Sequence, residues 1–150
     1  ISLFFCVLYA IIMMRIGGSS VAYIKFKPLT PTMQFNRIVS VEELDKELLG
    51  LIDKSETIHF SFSSGRDYGV LTDKRIIISD RKGVRGFRRK FYSIMYDSIS
   101  TYNLDIHNFD TTIEMTVDSG YIVVLSFYKP IPLEVMFDIY KFLSSKILEK

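Results

Sequence analysis

Between residues 57 and 62 apolar and polar positions alternate, with Ile58, Phe60 and Phe62 set against Thr57, His59 and Ser61. A period of two predicts a half-buried strand. Six further segments read as strands: 68–71, 75–79 with its run of isoleucines, 87–93, 99–104, 111–117 and 121–127. Turn residues separate them, among them Ser63-Ser64-Gly65, Thr72-Asp73-Lys74, a glycine-bearing loop over 80–86, Tyr96-Asp97-Ser98 and Asp118-Ser119-Gly120. On either side the period is 3.6. Upstream, Val41, Leu44, Leu48 and Leu51 share a face, Ser40 is an N-cap and Glu43 completes a capping box. The spacing predicts a short helix over 40–49, stopped by Gly50. Downstream, Leu133, Met136, Phe137, Tyr140, Leu143 and Ile147 form one stripe of a terminal helix.

No helix lies between consecutive strands, which excludes a parallel α/β sheet. Strands at this spacing predict a mainly β fold: a seven-stranded antiparallel barrel or sandwich, with a short N-terminal amphipathic helix. The terminal helix is expected to cap its open end through Leu133, Met136, Phe137 and Tyr140. The 150 residues are 48% apolar and 24% charged, enough for one folded domain with a core. A single cysteine, Cys6, excludes an internal disulfide framework, and two histidines leave little for a metal centre. No cofactor is expected.

The first residues differ from the rest. Residues 1–14 are almost wholly apolar, and Arg15, Lys25 and Lys27 follow. A membrane-spanning helix needs ~20 predominantly apolar residues. Two readings of 1–32 stand at this point, a membrane anchor and a reading frame extended upstream of its start. Thr30-Pro31-Thr32 is the natural boundary in both, with the folded domain over 33–150. If the apolar run spans, the positive-inside rule puts the domain on the cytoplasmic face of the membrane; otherwise the protein is expected in the cytoplasm.

Four local patterns follow one another in the middle of the chain. They are Arg66-Asp67; Thr72-Asp73-Lys74-Arg75; Asp80-Arg81-Lys82-Gly83 with Gly86; and Tyr92-Ser93-Ile94-Met95-Tyr96-Asp97-Ser98-Ile99. Their order and spacing resemble the bacterial pleckstrin-homology-like family over about residues 41–148. The resemblance implies a PH-like barrel or sandwich, a non-catalytic role and self-assembly. Eukaryotic relatives often bind phosphoinositides through several basic residues of the first hairpin. Here that hairpin, 62–66, has Arg66 alone.

Charge adds a candidate surface. Residues 66–90 hold nine basic residues against three aspartates, a net +6, while 33–56 carry −3 and 91–150 carry −4. Arg66, Lys74, Arg81, Lys82, Arg85, Arg88 and Lys90 are the candidate anion- or partner-binding residues. Solvated strand edges account for such a cluster equally well. Among binding partners, the acidic surface of another copy of the chain, or of another protein, ranks first. Anionic lipid ranks second and nucleic acid third, because the whole chain is only +2. Catalysis has little support: His59 alternates with Thr57 and Ser61 on a strand, and Asp105, His107 and Asp110 read as a polar loop without a recognised ligand spacing.

Overall fold

The computed structural model describes residues 27–85 and 87–149. Both readings of the apolar N-terminal run lie outside the described residues. The seven expected strands form as β4 (Ile58–Ser63), β5 (Tyr68–Thr72), β6 (Arg75–Lys82), β7 (Arg88–Met95), β8 (Ile99–Ile106), β9 (Asp110–Val117) and β10 (Tyr121–Tyr128). Most run one to three residues beyond the periodic signal. The hairpin loop expected over 80–86 is correspondingly shorter, because Asp80 and Lys90 still pair. Three short strands precede them, β1 (Lys27–Pro28), β2 (Met33–Phe35) and β3 (Arg37–Ile38). They are too short to show a period, so pattern reading passed over them.

One sheet runs β3-β4-β5-β6-β7, antiparallel throughout. The other is the β8-β9-β10 meander, with β1 and β2 lying parallel to β10 along its far side. A tight 3-10 turn, Tyr96–Ser98, carries the chain from one sheet to the other. No ladder joins β7 to β8, so the architecture is sandwich-like and not a closed barrel. Between the sheets, Phe35, Phe62 and Phe127 pack edge-on or tilted, with Phe35–Phe62 and Phe62–Phe127 centroids 4.6 and 4.9 Å apart. Gly69 lies opposite Phe62 in the ladder, and a Cβ there would fall 2.1 Å from the Phe62 ring. Only glycine leaves room for that ring.

The isoleucine run of β6 has a direct cause. Ile76 and Ile78 enter the core between the sheets, while Ile77 joins Val70, Val39, Leu44 and Leu48 in a second cluster on the outer face. A strand covered on both faces has no polar side to alternate with. The cover comes from the segment expected to be one helix over 40–49. It is instead a 3-10 turn, Val41–Glu43, followed by α1 (Lys46–Leu51). Ser40 does donate its amide N–H to the Glu43 carboxylate at 2.9 Å. The turn closes at Leu44, which is extended, so one apolar stripe does not form: Leu44 and Leu48 are buried, Val41 and Leu51 exposed. Gly50 lies inside α1 and does not end it.

The terminal helix, α2 (Leu133–Leu148), closes the inner core. Its buried residues are Met136, Ile139, Leu143 and Ile147. This corrects the expected plug: Met136 is buried, but Leu133 and Phe137 are about 40% exposed and Tyr140 only half-buried. Tyr140 lies at the flank, its ring centroid 5.5 Å from that of Tyr102 of β8, and Phe142 packs tilted against His59 and edge-on against Phe60 of β4. Among the described residues no helix is long and apolar enough to cross a membrane.

Candidate functional site

The motifs in the middle of the chain are structural fastenings. Arg75 donates two hydrogen bonds to the Glu56 carboxylate, at 2.8 and 3.2 Å, and others to the Ser93 hydroxyl and the Leu51 carbonyl. The Thr72 hydroxyl accepts the N–H groups of Lys74 and Arg75 and donates to Glu56 at 2.9 Å. The buried Tyr96 hydroxyl donates to the Thr72 carbonyl at 2.6 Å, and burial pushes its ionisation far above the usual range. The Arg75 hydrogen bonds hold the Glu56 carboxyl below its ordinary value. At the other end of β5, Asp67 accepts the Arg81 N–H at 2.8 Å, and Arg66 donates to the carbonyls of Arg81 and Gly83. Burial, with the Asp80 charge beside it, pushes the Asp67 carboxyl up.

The seven candidate basic residues therefore do not form one site. Arg66 is turned onto backbone carbonyls. Lys74 lies in the β5–β6 turn and donates to the Ser55 hydroxyl at 2.7 Å. The other five lie on the β6–β7 hairpin, where pairing sorts them by face. Directly opposed residues share a face of the sheet. Arg81 pairs with Arg89 on the outer face, and both meet the start of α1. Arg89 lies 2.9 Å from Asp45 and 2.8 Å from Glu47; Arg81 lies 3.6 Å from Asp45. Lys82, Arg88 and Lys90 continue the inner row past the core, with Lys82 paired to Asp80 at 2.6 Å and Lys90 over the Tyr92 ring. Arg85 and Arg88 form no ion pair among the described residues. Part of the acidic complement thus comes from Asp45, Glu47 and Glu56 of the same chain. Those partners lie 19 to 44 residues away in sequence, and no periodic pattern marks them.

Sequence reading missed a counterpart. Residues 97–118, which include the β8–β9 hairpin, hold Asp97, Asp105, Asp110, Glu114 and Asp118 and no Lys or Arg. Residues 81–90, at the distal part of the β6–β7 hairpin, hold six basic residues and no acid. None of the five carboxylates is paired to Lys or Arg among the described residues. β7 and β8 are also the edge strands of their respective sheets. Two adjacent edges of one subunit thus carry opposite charge.

One hollow among the described residues holds a histidine and bears on a catalytic reading. It is lined by His107, Phe109, Asp110 and Lys129 among others, at the β8–β9 turn. His107 Nε2 lies 2.9 Å from Asp105, but the two side chains are 54% and 62% exposed, and Asp110 accepts instead from Ser126 at 2.7 Å. A water-bathed pair is screened and has no third group to orient it. Asp105, His107 and Asp110 do not converge as a metal-binding cluster among the described residues.

A family model described as bacterial PH domain matches residues 30–147. The uncharacterized protein YjqA of Bacillus subtilis is 34% identical over 67 residues, which cover 45% of this chain and 54% of that protein. The chain thus spans about half the length of the curated relative it matches. Solved structures share the fold at lower identity. A DUF1696-family protein with a pleckstrin-homology domain from Shewanella loihica matches with a TM-score of 0.62 and 22% identity, over 74% of this chain and 96% of that one. A pleckstrin homology domain from Shewanella amazonensis gives 0.58 and 22%, over 73% and 90%. A PH-domain-containing protein from Exiguobacterium sibiricum gives 0.59 and 19%, over 76% and 62%.

Proposed function

The chain belongs to the bacterial PH domain family, and we propose that it is a non-catalytic assembly module in which copies join head to tail. The basic edge at β7 of one copy takes the acidic edge at β8 of the next. What carries the reading is the pair of free edges with opposite charge on different sheets of one subunit. An unpaired edge offers a row of N–H and C=O groups to another strand. Opposite charge on two different edges favours unlike edges meeting and disfavours like edges. Such a contact is heterologous, so it closes into a ring or runs on as a filament. The family is generally non-catalytic, and the exposed Asp105–His107 pair supplies no assembled nucleophile and base.

Light scattering of the full chain across a salt series tests this. The expected result is a multimer at low salt whose mass falls as salt rises, because exposed pairs are screened over roughly 8–10 Å near physiological ionic strength. A monomer at every salt concentration would overturn the reading.

A further inference from the structure

The tip of the β6–β7 hairpin lies beyond the last paired residues of the ladder, Lys82 and Arg88. Val84 is fully exposed and Phe87 is 86% exposed, and both line an open apolar hollow with Lys82, Gly83, Arg85 and Arg88. Gly83 adopts φ +81°, a left-handed turn that glycine accepts without strain. Two large apolar side chains held in water at a turn gain nothing for folding. Arg66 reinforces the base of this loop by donating to the carbonyls of Arg81 and Gly83. The tip is thus an apolar apex on a braced stem, with cations one step behind it.

We infer that this tip docks on an anionic bilayer, with Val84 and Phe87 entering the interface and Arg85 and Arg88 meeting lipid phosphates. Charge decides the sign of the surface: Arg81, Lys82 and Arg89 are paired with acids of their own chain, but Arg85 and Arg88 at the apex form no ion pair among the described residues. Shape decides its kind. A stable protein interface buries about 800 Å² on each partner. A hairpin apex of five residues offers far less, whereas a bilayer surrounds an inserted side chain. Apolar residues that seat about 5–10 Å into the headgroup boundary, with Lys and Arg at phosphate level, are the pattern of interfacial anchors. The site differs from the first hairpin, where Arg66 is turned onto backbone carbonyls. It recognises a charged surface and not one headgroup.

The chain has no tryptophan, so Phe87→Trp places a single reporter at the apex. Titrate the full chain carrying Phe87→Trp with vesicles of phosphatidylcholine alone, or mixed with phosphatidylglycerol. The expected result is a blue shift with the mixed vesicles only, with quenching by acyl-brominated lipid. High salt and an added Arg85→Glu should abolish both, and inorganic phosphate alone should leave the emission unchanged. An indole that stays water-exposed beside anionic vesicles overturns the inference, as does an equal shift on neutral vesicles. Because the reporter reads the apex, attachment through any other part of the chain does not imitate the result. Val84, Arg85 and Phe87 are distinct from the residues that test assembly, so the two readings fail separately.

Discussion

The β6–β7 and β8–β9 hairpins are built from strands of equal length and sit at the edges of two facing sheets, yet they are held in different ways. β6 is covered on both faces, by the inner core at Ile76 and Ile78 and by Leu44 and Leu48 over Ile77. β9 is covered on one face only. Thr111, Ile113, Met115 and Val117 are buried, and Thr112, Glu114 and Thr116 alternate with them toward solvent. The basic hairpin spends Arg75, Arg81 and Arg89 on carboxylates of its own chain, while the carboxylates of the acidic one have no Lys or Arg partner among the described residues. Cover and charge thus go together: the hairpin whose inner strand is covered on both faces also has its charge paired at the base, and its cations without an ion pair among the described residues lie toward the tip.

The largest effect should come from removing what both hairpins share. Met136 of α2 is 1% exposed in the inner core, so Met136→Asp buries an unpaired charge. A loss of about 4 kcal/mol is expected, comparable with the whole stability of a small domain. Phe137→Asp, one residue on but on the outward side, should melt close to wild type. Equal melting points for the two variants, read by circular dichroism, would show that α2 does not close the core.

A smaller effect sharpens the contrast at the base of β6. The Glu56 side chain is 5% exposed and accepts from Arg75 and Thr72. Glu56→Gln should cost about 2 kcal/mol at neutral pH. Arg75 lowers the folded carboxyl below its ordinary value of 4.5. The stabilisation is therefore complete above pH 4.5 and is lost as pH falls toward the lowered value. Denaturant melts at stepped pH should show wild type and variant converging below that point. A gap of constant size would mean that the pair contributes nothing through its charge.

How legible each hairpin was follows from the same difference. The alternation of Ile113, Met115 and Val117 with Thr112, Glu114 and Thr116 shows one buried face and fixes β9 almost to the residue. The run Ile76-Ile77-Ile78 marks a strand but hides its second cover, because a doubly buried strand has no period. That cover reads in sequence as one regular helix: the local pattern of Val41, Leu44, Leu48 and Leu51 fits 3.6, but the chain turns at Leu44 and Asp45 and lays Leu48 on the sheet. On α2 the stripe is right at Met136, Leu143 and Ile147, but Ile139 is buried in place of Phe137 and Tyr140, because Phe137 is as apolar as Ile139 and only packing distinguishes them. The basic candidates were visible as a cluster in sequence. Arg66 is fastened to backbone carbonyls and Arg81 to Asp45, while Arg85 and Arg88 form no ion pair among the described residues, and that division depends on ladder register and on an acid far away in the chain. The apex pair Val84 and Phe87 has no periodic signal at all.

The central claim is that unlike edges meet. Lys90→Glu on β7 sets acid against acid at the contact, and Asp105→Lys on β8 sets base against base. Each variant alone should give a lower mass than wild type by analytical ultracentrifugation at low salt. Mixed in equal amounts, they can alternate: Glu at position 90 meets Lys at 105, and the next contact keeps the native Lys90 and Asp105. The account predicts that the mixture regains the wild-type mass. Single variants that both keep that mass, or a mixture that stays at the mass of its parts, would contradict it.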